Sequence, residues 1–386
     1  MYITTPLPPR HPQIPMEALF DFDNTFSADR YKSFYDPSAT TTSVRDSVPA
    51  SVYSRWRPER LVHNLRRFVD AHQAVIGLRD YRNLYNHYEI PKKNGKTRPI
   101  DEPLPLLRVA QDTLVQIIED CMPATHHSAA YAYVKRRETL DAVKKHQANE
   151  SWWFAKFDFT NFFGSTTPEF LEAMLKQIYP FSWAYQNGEW EVVSKALSVC
   201  FLRGGLPQGS PVSPLLTNIM MIPLDYALTT ALRNYEKRSF VYTRYADDIQ
   251  ISCKVDFDVK LIEKLIEHTL GEFQAPFALN REKTHYGSRS GRNWMLGIKL
   301  NAENKTTVGH VNKKFMKAML TNYVLDRKKG ADRKWELSEI QTLSGNLSYY
   351  RHIEKEYFDQ IVRRLGEKFG VDIDAALKHD IKTMSV

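Results

Sequence analysis

Three aspartates in strand-like, apolar surroundings mark where this sequence could do chemistry. Asp158 stands in WWFAKFDFTNFF, and the pair Asp247-Asp248 stands in FVYTRYADDIQIS. An ionised carboxylate on a largely buried sheet is costly unless something positive meets it. Three brought together would repel one another, and a bound divalent cation is the natural counter-charge. A few hard oxygen ligands, with room left for phosphate oxygens, point to Mg²⁺. Two such ions can clamp the attacking and departing oxygens of an in-line phosphoryl displacement. Neighbours on a strand point to opposite faces, so the paired aspartates need not be equal. Asp247 is the expected first ligand and Asp248 the second. Taken alone, an aromatic-x-Asp-Asp string also suits the polar tip of a hairpin.

Periodicity gives the elements that must hold these groups. Leu61, Leu65, Phe68 and Val69 predict a helix from Pro58 to about Leu84. In YEIPKKNGKTRPI, Asn94-Gly95 predicts a two-residue turn between antiparallel arms. A helix over Leu106–Glu119 and a strand over Trp152–Phe159 follow. Pro168–Tyr179 and Pro214–Leu232 read as helices, each opened by a proline that the first turn tolerates. Phe240–Cys253 has β-formers on both sides of Ala246-Asp247-Asp248, as a second hairpin would. Val259–Phe273 places Leu261, Ile262, Leu265, Ile266, Thr269 and Leu270 on one helical face. This order predicts an α+β fold, a small antiparallel sheet with helices on one side. Three helices are expected beyond it, near 311–327, 336–350 and 354–369.

Composition limits the remaining classes. At 386 residues, two or three subdomains are expected. Hydrophobic residues at 42% and charged residues at 25% fit a soluble globular protein. No stretch approaches 18 uninterrupted apolar residues, and the proline-rich start lacks a signal-peptide pattern, so the expectation is a cytoplasmic protein with no membrane partner. Cys121, Cys200 and Cys253 are far apart and form no CxxC pair, which argues against a zinc site or a disulfide framework. The formal charge of +8 comes from 53 Lys and Arg against 45 Asp and Glu. Basic runs at Lys92–Arg98, Lys135–Arg137, Lys313–Lys317 and Arg327–Lys334 could follow a phosphate backbone or form solvated loops. On this reading Lys313, Lys314 and Lys317 would bind the phosphates of a nucleic acid. Residues 1–57 read as an N-terminal extension anchored by Phe20, Phe22, Tyr31 and Phe34.

Read together, the motifs are more specific. Phe157-Asp158-Phe159 with Asn161-Phe162-Phe163, then GLPQGSPVSPLLTNIMM (Gly205–Met221), then YADD (Tyr245–Asp248), resembles the ordered motif set of reverse transcriptases. The resemblance runs from about Tyr88 to the end. It implies a right-hand polymerase with fingers over 58–151, a palm over 152–300 carrying a fingers insertion around 180–205, and a helical thumb over 301–386. It implies that Asp158 and Asp247 hold the two Mg²⁺ ions, joined by Asp248 and the backbone carbonyl of Phe159. Lys92, Lys93 and Arg98 would close on the incoming deoxynucleoside triphosphate, with Lys96 left at the surface. Gln208 would lie against the template–nucleotide pair, with Gly209 allowing close backbone approach. Phe163 is placed where a ring would exclude a 2′-hydroxyl and so select deoxynucleotides. Lys283, in EKT, could donate a proton to the leaving group, and Met295, Leu296 and Gly297, after Trp294, could grip the primer end.

The C-terminal LSGNLSYYRHIEKEYFDQI is similar to the short thumb of bacterial retron-type enzymes. Where retrons carry Asn-Ala-x-x-His, this chain has DAVKKH, with Asp141 in place of Asn and His146 one residue late. Where they carry Val-Thr-Gly it reads Thr307-Val308-Gly309. These departures favour a relative among the defence-associated reverse transcriptases. Such an enzyme copies a partner non-coding RNA into cDNA to oppose phage. A true retron enzyme, a maturase-like intron protein and a non-catalytic RNA-binding scaffold are the alternatives, and a homo-oligomeric state is left open.

Overall fold

In the computed structural model the described residues are 57–78, 80–92, 95–235, 239–291, 293, 295–330 and 334–385. The expected N-terminal extension and its anchors, Lys93, Asn94 and Trp294 lie outside them. The chain begins with α1 (Pro58–Ala71), β1 (Tyr85–Pro91), β2 (Thr97–Pro103), α2 (Pro105–Cys121), α3 (Thr139–Ala148) and β3 (Trp153–Asp158). Next come α4 (Pro168–Leu175), α5 (Phe181–Gln186), α6 (Trp190–Leu197), α7 (Ser213–Met220) and α8 (Ile222–Asn234). The carboxylate hairpin, β4 (Val241–Tyr245) and β5 (Asp248–Cys253), precedes α9 (Val259–Glu272) and β6 (His285–Ser288). Two short strands, β7 (Lys299–Leu300) and β8 (Thr306–Thr307), lead into α10 (Gly309–Arg327), α11 (Leu337–Ile353), α12 (Lys355–Phe369) and α13 (Ile373–Met384). Helices and antiparallel strands are mixed, so the expected α+β class is what the chain adopts.

The chain forms two compact units. One holds the described residues through Glu138 together with Ala155–His285; the other holds Thr139–Phe154 and the chain from Tyr286 onward. The expected grouping differs at 139–154 and 286–300, which fold with the C-terminal helices.

In the first unit α1 buries Leu61, Leu65 and Phe68 as the spacing predicts, and packs on α2. It stops at Ala71, well short of Leu84. Strands β1 and β2 pair from Tyr85↔Pro103 to Pro91↔Thr97. Their connection is longer than the two-residue turn expected. The Lys92 amide donates to the Lys96 carbonyl at 2.7 Å and the Gly95 amide to the Lys92 carbonyl at 3.0 Å. Gly95, at φ +77°, takes the left-handed backbone that glycine adopts without strain. The unit's other sheet places β5 between β4 and β3, with β4 and β5 antiparallel from Val241↔Ser252 to Tyr245↔Asp248. The single helix expected over Pro214–Leu232 is two, α7 and α8, bent by 42°. Pro223 has no N–H for a carbonyl one turn earlier, and its ring crowds that carbonyl, so the ladder breaks there. Helix α9 buries Ile262, Leu265, Ile266, Thr269 and Leu270, the face the sequence marks.

In the second unit, Leu140 and Val143 of α3 join Met316 and Leu320 of α10, Ile340 of α11 and Phe358 of α12 in one core. The expected three C-terminal helices are followed by a fourth, α13. Gly370 at φ +66° ends α12, and the Asp372 carboxylate caps the next helix by accepting from Ala375 N at 3.0 Å. Asp380, buried on α13, interrupts the apolar stripe that would have announced it. Among the described residues no single helix is long and apolar enough to cross a membrane.

Candidate active site

Strand β3 delivers Asp158 as its last residue, 5% exposed. The register Tyr245↔Asp248 leaves Ala246 and Asp247 as the two-residue turn of the second hairpin. Ala246 takes φ +57°, a conformation that residues with a side chain seldom adopt and that the surroundings must enforce. The Phe159 amide donates to the Asp247 carbonyl at 3.2 Å, which ties this turn to the end of β3. Asp158 and Asp247 both line a cleft of about 560 Å³. Asp248 accepts from Lys156 Nζ at 2.8 Å and is within hydrogen-bonding reach of Asp158. Lys156 and Asp158 are two residues apart on β3 and therefore share a face.

Burial, and then the Asp158 charge, push Asp247 above the ordinary carboxylate range; Lys283 and Lys156 pull it back. Burial likewise raises Asp248, against the pull of Lys156 and with the push of Asp158 and Asp247. The Lys283 ammonium donates to Asp158 Oδ1 at 2.5 Å, and that bond raises its pKa. The site is thus a repelling acidic cluster held by two ammonium groups. Among the described residues no three side chains already stand as a cation cage. The donor set nonetheless fits divalent cations, because converging carboxylates raised by burial and mutual repulsion gain most from positive charge.

The cleft gathers most of the other expected residues. Lys92 and Arg98 reach it from the β1–β2 hairpin, and Phe163, Gln208, Gly209 and Lys283 line it. Gln208 is placed by its own carbonyl, which accepts from Asp101 N of β2 at 2.7 Å. Gly209 has φ +116°, and a Cβ there would come 2.8 Å from the Asp101 carbonyl oxygen. The close approach that requires glycine is therefore to β2 of this protein. The two phenylalanines have separate environments. Phe162 is 2% exposed and packs on Phe159 and Phe277 at centroid distances of 5.6 and 4.9 Å. Phe163 is half-buried at the cleft wall.

Sequence reasoning missed three contributors. Lys156 could have been found, as a cation two residues before Asp158 in an apolar strand. Tyr133 also lines the cleft, and nothing in its local sequence signals that. Arg244, fully buried in β4, clamps Asp225 of α8 with Nη2 to Oδ2 at 2.8 Å and Nε to Oδ1 at 2.9 Å. Its Nη1 donates to the Ala246 carbonyl at 3.2 Å, so this pair supports the turn that carries Asp247. The signal available was a lone cation inside a strand of β-formers.

The remaining expected residues lie in the second unit. Leu296 and Gly297 form a turn at φ +53° and +84°, closed by reciprocal hydrogen bonds of 2.8 Å between Met295 and Ile298. Met295 is 1% exposed and belongs to the core, which leaves only its backbone for a nucleic acid. On α10, Lys314 and Lys317 are exposed. Lys313 is paired with Glu354 and lies 4.1 Å from the Tyr357 ring centroid. The positions that depart from retron motifs are structural: His146 is buried, which lowers its pKa to about 3, and Thr307 Oγ1 donates to Glu354 at 2.8 Å.

Clustered carboxylates facing lysines and an arginine across a polar cleft are the equipment of an enzyme that handles phosphates. Residues 90–307, more than half of the chain, match the family described as "Reverse transcriptase (RNA-dependent DNA polymerase)". The chain belongs to that family and is an RNA-directed DNA polymerase. It is 28% identical over 291 residues to the Retron Ec83 reverse transcriptase of Escherichia coli, covering 73% of this chain and 87% of that protein. It is 28% identical over 282 residues to the Retron Ec73 reverse transcriptase of Escherichia coli, covering 72% and 85%. With the Retron Mx162 reverse transcriptase of Myxococcus xanthus it shares 26% over 309 residues, 75% of this chain and 60% of that one. A solved apo telomerase from Candida tropicalis aligns at TM-score 0.43 and 11% identity, over 75% of this chain and 59% of that chain.

Proposed function

We propose that this reverse transcriptase copies a partner non-coding RNA into cDNA, with Asp158, Asp247, Asp248 and the Phe159 carbonyl holding two Mg²⁺ ions. The observation that carries this reading is that Asp158 and Asp247 line one cleft with Lys283, Gln208 and Phe163, with Asp248 behind them in hydrogen-bonding reach of Asp158. When bound, the ions supply positive charge to the attacking and departing oxygens. Lys92 and Arg98, with Lys93, attract and orient the triphosphate, since cations near developing phosphate charge lower the barrier. Lys283 and Lys156 keep the acidic cluster tolerable before substrate arrives, and Lys283 then serves the leaving group. Gln208, fixed by β2, supports the templating pair. In this reading the first unit supplies fingers and palm and the C-terminal helices a thumb that follows the duplex. Its test is copurification of the protein with its nucleic acid, followed by sequencing of the RNA and any cDNA; RNA with no cDNA, or no RNA at all, would contradict it.

Phe163 is assigned the sugar gate. A ring excludes a hydroxyl by overlap and offers no hydrogen bond to offset its desolvation. Phe163→Ala is expected to raise ribonucleotide incorporation relative to deoxynucleotide by about tenfold or more. Phe162→Ala, deep among Phe159 and Phe277, should instead destabilise the fold by about 3–5 kcal/mol with little change in that ratio. Single-nucleotide extension with both sugars, and denaturation of each variant, separate the two. A shift in the ratio confined to Phe162→Ala would move the gate to that residue.

Phosphate contacts through α10 make binding salt-dependent. Replacing Lys313, Lys314 and Lys317 together should flatten the slope of log affinity against log salt by about two charge equivalents, not three, because Lys313 is already neutralised by Glu354. An unchanged slope, measured by titrating a labelled primer–template, would place the footprint elsewhere.

The proposed setting is antiphage defence, supported by the departures at Asp141–His146 and Thr307–Gly309. Plating of phage on cells carrying the wild-type gene or its Asp247→Ala variant tests it, with protection expected only from the first. A second reading, a retron-type enzyme, is favoured by the relatives at 28% identity. It requires cDNA joined covalently to the copurified RNA.

A further inference from the structure

Tyr133 is a bulky residue held at φ +58°, where such residues are true outliers. It is 59% exposed, yet it is directed at the cleft rather than at open solvent alone. The loop that presents it is braced from behind. Arg137 donates to the carbonyls of Ala130 and Ser128 at 2.6 and 3.1 Å, and its guanidinium lies 5.3 Å from the Tyr131 ring centroid. Tyr131 N in turn donates to the Arg244 carbonyl at 2.8 Å, so this loop and the carboxylate hairpin share one frame. The Tyr133 ring meets Phe163 edge to face, with centroids 6.4 Å apart and planes at 70°. Phe163 also meets Phe162, at 5.7 Å and 68°.

We propose that Tyr133 is a second specificity-determining residue of the sugar site, an aromatic wall that holds Phe163 in the position from which it excludes a 2′-hydroxyl. The inference rests on Phe163 being the gate. A half-buried ring with one neighbour can rotate aside for an extra hydroxyl; a ring in contact with two others loses more by doing so. Edge-to-face pairs of this kind are worth enough to change a rate ratio about tenfold. The ring, not the hydroxyl, does this, so Tyr133→Phe should keep the selectivity. Burial first, then the Asp247 and Tyr245 charges, raise the phenol's pKa, so it stays a neutral neighbour of the carboxylates at physiological pH.

The experiment compares kcat/KM for a deoxynucleotide and the matching ribonucleotide in wild type, Tyr133→Phe, Tyr133→Ala, Tyr133→Asn, Phe163→Ala and the Tyr133→Ala/Phe163→Ala double variant. Asparagine tolerates the left-handed backbone and removes the ring, so it guards against misfolding of the alanine variant. Tyr133→Ala and Tyr133→Asn should each lower the deoxy-to-ribo ratio about tenfold, with Tyr133→Phe unchanged. In the Phe163→Ala background the same change should add almost nothing, since the two residues act as one unit. Ratios unchanged in both ring-removing variants while Phe163→Ala still shifts would overturn the role of Tyr133 alone. No shift in Phe163→Ala would overturn the gate itself, and the inference with it.

Discussion

Asp247→Ala and Asp158→Ala should each reduce primer extension by about three orders of magnitude or more while leaving the protein folded. The loss follows from removing oxygen ligands from cations that together supply several kcal/mol of transition-state stabilisation. The survival of the fold follows from the electrostatics of the apo site. Burial and Asp158 raise the pKa of Asp247 in the folded protein. A carboxyl raised in this way costs stability at any pH above its unfolded value, where the unfolded chain is ionised at no penalty. Removing it therefore leaves the unfolding midpoint at neutral pH unchanged or slightly higher. Asp158→Ala strands Lys283, but that ammonium is 57% exposed and water can take it. Asp248→Ala should cost less activity than Asp247→Ala, because Asp248 turns toward Lys156 and does not line the cleft. Deoxynucleotide incorporation with Mg²⁺ on a primed RNA, beside thermal unfolding without Mg²⁺, checks both halves. Wild-type extension by either variant would falsify the two-metal reading, and a midpoint lowered by many degrees would give these aspartates a structural role.

The carboxylates were legible because they break a rule: charged residues in runs of β-formers have no reason to be there unless something pairs with them. The helices with a single apolar face, α1, α2 and α9, were legible for the complementary reason, that burial on one side imposes a period. What escaped was set by long-range contact. The break between α7 and α8 depends on Pro223, three residues past the α7 end, which local periodicity over Pro214–Leu232 runs straight through. The role of Gly209 depends on β2, more than a hundred residues earlier in the chain. The grouping of α3 with the C-terminal helices depends on which core Leu140 and Val143 enter, and amphipathicity says only that they enter one. Tyr133 is the extreme case, since its placement comes from a left-handed backbone and from braces on Arg137 and Tyr131.

Arg244→Met is expected to destabilise the first unit by about 3–5 kcal/mol, the usual cost of leaving one member of a fully buried ion pair without the other. Both side chains of the Arg244–Asp225 pair are 0% exposed, so no water can replace the lost guanidinium. The Tyr242 hydroxyl still donates to Asp225 Oδ1 at 2.6 Å, and burial, then the Asp225 charge, raise that phenol well above its ordinary pKa, so it remains a donor. One neutral hydrogen bond does not balance a buried carboxylate. Arg244→Lys should recover only part of the loss, because an ammonium cannot make the two-pronged contact that Nε and Nη2 make. The double change Arg244→Met/Asp225→Leu should be more stable than Arg244→Met, since it removes the unpaired charge along with its partner. Its activity should nonetheless stay low. The guanidinium also donates to the Ala246 carbonyl, and without it nothing equivalent holds the left-handed turn that aims Asp247. Urea midpoints for the four proteins, with extension rates measured on the folded fraction, separate the two roles. A double variant that regains both stability and full activity would show that the pair only fills space, whereas one that regains stability alone would show that it also aims the catalytic turn.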